Sequence, residues 1–336
     1  MGVTLDDVAR MSGVSRATAS RSLSGNPSVR DATRLRVVAM AEALGYRVNH
    51  AAQALASGQT NVLGMVLPSG SLTDDRYRAQ FIGAMSQAAT QRDKGLMLWM
   101  TGLGDRAEPG LDRMVQSGMV DGVFVLSNGA DKAWIDRTAD REGVPVVLVG
   151  SRETQVGRCR VECDDLGGGK MVADHLAELG HRRVATITGP RSRLDSQYRL
   201  EGFRSGLAEH DIQLPGSAVV EGGFTHESGL AAMVRLLDYE PSAVFVANDQ
   251  MAMGAYVALR GAGRSVPRDV SIVGFDDIPT SLSLAPPLTT VRQDVKHMSA
   301  LAVDLMLRAI DGTAGPDERL ISPTTLVERN STRSLR

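Results

Sequence analysis

The 336-residue chain is 43% apolar and 23% charged, which excludes a disordered or low-complexity protein and suits two or three domains. Its longest apolar run, Gly143–Gly150, is strand-length and too short to span a bilayer. The net charge of −2 is unevenly spread: residues 1–60 hold seven arginines against four acids, a +3 head on a −5 body, which points to a nucleic-acid partner at one end.

Thr4-Leu5-Asp6-Asp7 fits a capping box, and Leu5, Val8 and Ala9 form an apolar stripe ending at Gly13. Ser15 can cap a second helix over Arg16–Leu23, which Gly25-Asn26-Pro27 breaks. A third helix is expected from Asp31 to Leu44, with Val37, Val38, Ala41 and Leu44 on one face and Gly45 after it. Two short helices joined by a tight turn and buttressed by a third make a helix-turn-helix, whose second helix enters the major groove. Arg16, Ala17 and Arg21 then face base edges, while Ser15, Thr18, Ser20 and Ser22 suit phosphate oxygens. The competing reading is a small helical domain with a solvated basic face; capping, turn and donor-rich helix together favour the DNA reader. The alanine-rich Asn49–Gly58 segment has high helix propensity but is too short to hold alone, so it should coil only when something docks against it. Its Leu55 can wedge into a minor-groove step, or else pack on the body as part of an ordinary linker.

From residue 61 strands alternate with helices. Strands are expected at Val62–Leu67, Leu96–Met100, Gly122–Leu126, Val144–Val149, Val184–Thr188, around Ala218–Gly222, and at Ala243–Ala247 and Ser271–Phe275. This implies two doubly wound parallel-sheet α/β lobes behind an all-α head. The expected domains are residues 1–46 (reader), 47–60 (hinge and linker), 61–330 (core) and 331–336 (tail). Lobe one takes about 61–161 and 291–322, and lobe two about 162–290 and 323–330. Open α/β sheets bind ligands at the carboxyl ends of their strands. There stand Gly189-Pro190-Arg191-Ser192, Phe224, Asn248-Asp249 and Asp276-Asp277, with Arg199 read as opening the helix after the first of these loops. Arginine, asparagine and aspartate beside an aromatic face are what a polyhydroxylated ligand needs, although each alone could cap a helix or turn. Arg76, Arg152, Arg191 and Arg193 near the mouth point to an anionic effector, such as a sugar acid or sugar phosphate.

Thr4-Leu5-Asp6-Asp7-Val8-Ala9, Gly13-Val14-Ser15, Thr18-Ala19-Ser20-Arg21, Thr33-Arg34, Leu44-Gly45-Tyr46, Asn49 and Ala54-Leu55-Ala56 resemble the head of the lactose/galactose repressor (LacI/GalR) family. The resemblance continues to about residue 330. It implies a periplasmic-binding-protein-like core, base reading by helix two, and a hinge leucine that pries open a palindromic double-stranded operator. Candidate DNA contacts are Thr4, Ser15, Arg16, Ala17, Thr18, Ser20, Arg21, Asn49, Ala52 and Leu55. The resemblance implies effector contacts at Arg199, Phe224, Asn248 and Asp276, with Tyr77 added where relatives carry an aromatic segment. Three positions depart from the family pattern: Ala19 for valine, Arg30 for a capping serine and Val48 for proline.

Gly102-Leu103-Gly104-Asp105-Arg106-Ala107 matches a loose dinucleotide fingerprint, but Glu108-Pro109-Gly110 would interrupt the helix needed to hold a pyrophosphate. Cys159 and Cys163 lack a second ligand pair for zinc, and Asp164-Asp165 and Asp276-Asp277 lack a glycosidase spacing. Trp99 and Trp134 sit in apolar patterns that read as core. No cofactor, metal or enzymatic activity is expected. With no leader-like start and two cysteines, the chain reads as cytoplasmic. Its short tail favours a homodimer over a tetramer. The expectation is a transcription repressor of a carbohydrate operon, with no membrane partner. The alternatives are a sugar carrier or enzyme core with a partner-docking head, or a regulator whose ligand is a corepressor.

Overall fold

The computed structural model describes residues 3–47, 58–68, 76–101, 109–126, 132–140, 143–150 and 158–336, in two compact units, 1–60 and 61–336. The first holds α1 (Leu5–Ser12), α2 (Arg16–Leu23) and α3 (Asp31–Ala43). The Thr4 hydroxyl accepts the Asp7 N–H at 3.3 Å and the Asp7 carboxylate takes the Thr4 N–H at 3.1 Å, completing the capping box. Gly13, at φ 64°, ends α1, and Ser15 Oγ accepts the Thr18 N–H at 3.1 Å to start α2. The helices close on Val8, Ala9, Ala19, Val37 and Ala41. Ala19 is thus a wholly buried position, and Arg30 precedes α3 without any side-chain cap. Val48 and most of the expected hinge segment, including Asn49, Ala52 and Leu55, lie outside the described residues.

The second unit carries two six-stranded sheets. One comprises β1 (Val62–Pro68), β2 (Gly95–Thr101), β3 (Gly122–Leu126), β4 (Val146–Val149), β5 (Cys159–Cys163) and β11 (Arg319–Ser322), all parallel, in the order β11-β5-β4-β3-β1-β2. The other comprises β6 (Val184–Thr188), β7 (Val219–Glu221), β8 (Ala243–Val246), β9 (Ser271–Asp276), β10 (Thr289–Gln293) and β12 (Thr324–Val327). Its order is β12-β10-β9-β8-β6-β7, parallel except for β12 against β10. The first lobe's helices are α4 (Arg76–Thr90), α5 (Pro109–Gln116), α6 (Lys132–Asp140) and α11 (Val295–Ile310). The second's are α7 (Asp165–Glu178), α8 (Leu194–Glu209), α9 (His226–Leu236) and α10 (Asp249–Gly261). Helices on both faces bury the central strands completely, which is why β3, β4 and β8 read as unbroken apolar runs. Helices α7 and α8 cross at Gly169 and Gly202. A Cβ on Gly202 would overlap the Leu166 carbonyl, and one on Gly169 would overlap the Arg199 carbonyl. That close crossing sets the start of α7 against the second turn of α8.

Several boundaries correct the sequence reading. The first lobe runs on through β5 to Cys163, beyond the expected boundary near 161. Val291 lies inside β10 of the second sheet, so the chain returns to the first lobe at Val295 rather than 291. Both strands are short and mix polar with apolar residues, so neither has a distinct apolar signature. The 331–336 segment is sewn into the second lobe: Ser331 is buried, its hydroxyl donates to the Ile272 carbonyl at 2.5 Å, and the Leu335 N–H donates to the Leu179 carbonyl at 2.8 Å. Pro109 begins α5 rather than interrupting a helix, since a proline in the first turn forfeits no helical hydrogen bond. The Gly102–Ala107 fingerprint lies outside the described residues. Trp134 is fully buried in the first lobe and Trp99 packs against the same cluster.

Candidate functional site

Residues at the carboxyl ends of strands from both sheets line a cleft of about 740 Å3, part of it open to solvent. Tyr77, Arg199, Phe224, Asn248 and Asp276 all line it. Arg199 lies in the second turn of α8, not at its start, and is buried. Its Nε donates to Asp165 Oδ1 at 2.8 Å and its Nη1 to the Ala247 carbonyl at 2.6 Å, with Asp276 Oδ1 at 3.6 Å. Its guanidinium carbon stands 3.9 Å from the Phe275 ring centroid. Burial alone opposes the charge, but Asp165, Asp276 and Asp195 reverse that and hold Arg199 above the ordinary arginine range.

Asp276 closes β9 at φ 110°, and its Oδ1 accepts from Gln293 Nε2 at 2.7 Å. A short 3₁₀ turn at Pro279–Ser283, not an α-helix, follows, so the helix-capping alternative fails for Asp276. For Asn248 the capping role is real: Oδ1 accepts the Met251 N–H at 2.9 Å, while Nδ2 donates to the Phe224 carbonyl at 3.2 Å. Phe224 itself sits at φ 64°, so two non-glycine residues in left-handed backbone face the same cleft, a strain typical of binding sites. A side chain on Gly189 would overlap the Phe224 ring. Tyr77, on α4, donates its hydroxyl to Gln293 Oε1 at 2.9 Å. Burial pushes its phenol well above the ordinary tyrosine range.

The neighbouring aspartates turn away from the ligand space. Asp249 is buried, accepting from Thr290 Oγ1 at 2.5 Å and the Ile278 N–H at 2.9 Å, and burial pushes its carboxyl up. Burial pushes Asp277 up too, but hydrogen bonds from Arg329 and Arg292 hold it below the ordinary range. Of the four arginines expected at the mouth, two face carboxylates. Arg193 pairs with Asp195 at 2.5 Å and lies 4.9 Å over the Phe224 ring, Arg191 faces Glu221 at 3.6 Å, and Arg76 is exposed at the start of α4. Arg152 lies outside the described residues. Among the described residues the cleft lining carries Arg193 and Arg199 beside Asp165, Asp195 and Asp276, carboxylates able to accept from ligand hydroxyls.

In the head, Arg16, Ala17, Ser20 and Arg21 are exposed on one face of α2. Arg16 Nε reaches Asp6 Oδ1 at 3.6 Å, and Arg21 Nε donates to the Ala17 carbonyl at 3.3 Å. Ser15 is exposed and Thr18 half-buried, their hydroxyl oxygens 2.9 Å apart. Thr4 is exposed, its hydroxyl donating to Asp7 Oδ2 at 2.7 Å. Ser22 is buried and donates to the Thr18 carbonyl at 2.7 Å, which removes it from the expected phosphate donors.

Residues 4–49 match the bacterial regulatory proteins of the lacI family, and residues 173–332 match the periplasmic binding protein-like domain. The chain is 35% identical to the HTH-type transcriptional regulator CelR of Thermobifida fusca, over 98% of both chains. It is 30% identical to the ribose operon repressor of Escherichia coli K12, over 98% of this chain and 99% of that one. The chain belongs to the lacI family. Among solved structures, the CelR–cellobiose complex superposes on the regulator with a TM-score of 0.73 at 32% identity, covering 98% of this chain and 99% of that one. The lac repressor dimer bound to operator and the anti-inducer ONPF does so at 0.82 and 30%, covering 99% and 100%. The regulator is therefore a DNA-binding transcription regulator and not an enzyme. Among its described residues no helix is long and apolar enough to cross a membrane. Sequence reasoning missed Asp165, Asp195 and Gln293 in its cleft. Asp165 follows β5 and Gln293 ends β10, the two strands that carried no clear apolar signature, and locating them would have flagged both residues as strand-end positions.

Proposed function

We propose that this regulator acts in the cytoplasm as a homodimer that represses a carbohydrate operon from a palindromic operator, and that a neutral polyhydroxylated sugar in the cleft changes its operator affinity. The observation that carries the ligand reading is the buried Arg199, held between Asp165 and Asp276 and opening on Asn248 and Phe224. Such a group bonds vicinal hydroxyls while the ring covers a sugar's C–H face. The CelR structure with cellobiose and the operator-bound lac repressor dimer support it. A second copy would also cover Leu98 and Met100, which stand exposed on β2, an edge strand. Arg16, Ala17 and Arg21 are the base-facing set, Ser15, Thr18, Ser20 and Thr4 flank the phosphates, and the Asn49–Gly58 segment with Asn49, Ala52 and Leu55 couples operator to core. Effector and operator must alter each other's affinity by the same factor.

Selection of bound duplexes from a random pool at near-physiological salt, repeated with cellobiose, ribose and a sugar phosphate, tests this. The expected result is one enriched palindrome whose affinity responds to neutral sugars more than to the phosphate. Absence of any enriched duplex would overturn the operator reading, and a stronger response to the phosphate would overturn the neutral-ligand reading.

A further inference from the structure

Tyr77 belongs to the first lobe: it lies at the start of α4, stacks near Phe81 and packs on that lobe's core. Gln293 belongs to the second, as the last residue of β10 before the chain crosses back into α11. Their hydrogen bond therefore spans the cleft. Its polarity is set by chemistry. Asp276 Oδ1 takes the Gln293 amide N–H at 2.7 Å, so the amide oxygen must face Tyr77 and the phenol must be the donor. Gln293 and Asp276 are both buried in this arrangement, so a lobe movement that parts Tyr77 from Gln293 exchanges the phenol's hydrogen bond for one from cleft water.

We propose that Tyr77 and Gln293 form an interlobe latch that positions the Asp276 carboxylate, so that the carboxylate facing the ligand also reports which lobe arrangement the protein occupies. The latch deepens the regulator reading and rests on it for its consequence at DNA. Tyr77 is then a positioning residue acting through Gln293. A ligand on Asp276 shares that carboxylate with the latch, and its differing affinity for latched and unlatched arrangements is what shifts operator affinity.

A double-mutant cycle of Tyr77→Phe and Gln293→Leu on the full chain tests the pair. In urea denaturation without sugar, each single change should destabilise, and the double variant should be no worse than the worse single. Additive losses would overturn the latch. If Gln293→Leu does not fold, Gln293→Asn, too short to span both partners, completes the cycle. On the duplex recovered by selection, Tyr77→Phe should shift sugar-free operator affinity by roughly two- to tenfold. Unchanged sugar-free affinity beside weakened cellobiose binding would make Tyr77 a plain ligand contact and overturn the coupling. If the parent protein selects no duplex, the operator reading fails, while the urea cycle still decides the latch.

Discussion

Replacing Arg199 by methionine keeps most of the aliphatic stem and removes the guanidinium. The variant loses the 2.8 Å bond to Asp165, the 2.6 Å bond to the Ala247 carbonyl and the neighbour 3.6 Å from Asp276. Two buried carboxylates lose the cation beside them and a buried carbonyl loses a donor, a situation that costs about 3–5 kcal/mol. At about 2–4 °C per kcal/mol, the melting temperature should fall by about 6–20 °C, and sugar binding should vanish. The sharper test is a reversal of sign. In the parent, Asp276→Asn removes a partner of Arg199 and Gln293 and should destabilise by about 1–3 kcal/mol. In the Arg199→Met background the same change removes a buried charge that no longer faces the Arg199 cation and should recover about 1–2 kcal/mol. Urea denaturation followed by circular dichroism reads all four proteins. Equal losses from Asp276→Asn in both backgrounds would falsify the claim that Arg199 is what makes that carboxylate tolerable.

Arg21→Ala should weaken operator binding by about 1–3 kcal/mol and relax preference at one base pair, checked by repeating the duplex selection. Gly202→Ala, remote from any ligand, should wedge α8 off α7, destabilise by about 1–3 kcal/mol and weaken sugar binding by misplacing Arg199, with calorimetric titration as the readout. Burial holds the His181 imidazole down to about 4, against Ser242 at 2.9 Å and the Arg333 carbonyl at 3.1 Å. Below its unfolded value of about 6.5 the unfolded chain takes a proton that the folded one refuses. Stability from this group should thus be full above about pH 7 and fall by about 2 kcal/mol toward pH 4, after allowance for solvent screening. Denaturation at pH 7.5 and pH 5 reads the loss, and His181→Gln should flatten it.

Features that depend on neighbours along the chain were open to inspection in the sequence. Thr4 and Ser15 cap helices because their oxygens lie three residues from an orphan amide, and Gly13 ends α1 because it alone tolerates φ 64° cheaply. The fully buried strands β8 and β9 declared themselves as apolar runs, and their ends located Asn248 and Asp276, whereas Phe224 follows the short β7 with its exposed Glu221. What the sequence hid was pairing. Strands such as β5 and β10 take their place from the strands beside them, so their lobe assignment and the site residues at their ends, Asp165 and Gln293, went unseen. Arg191 and Arg193, which looked free to attract an anion, face carboxylates, because whether a charge is spent depends on what stands across from it in space. Local order is written in short-range sterics and hydrogen bonds, whereas the bond from Tyr77 to Gln293, 216 residues apart, exists only once both lobes have folded and met.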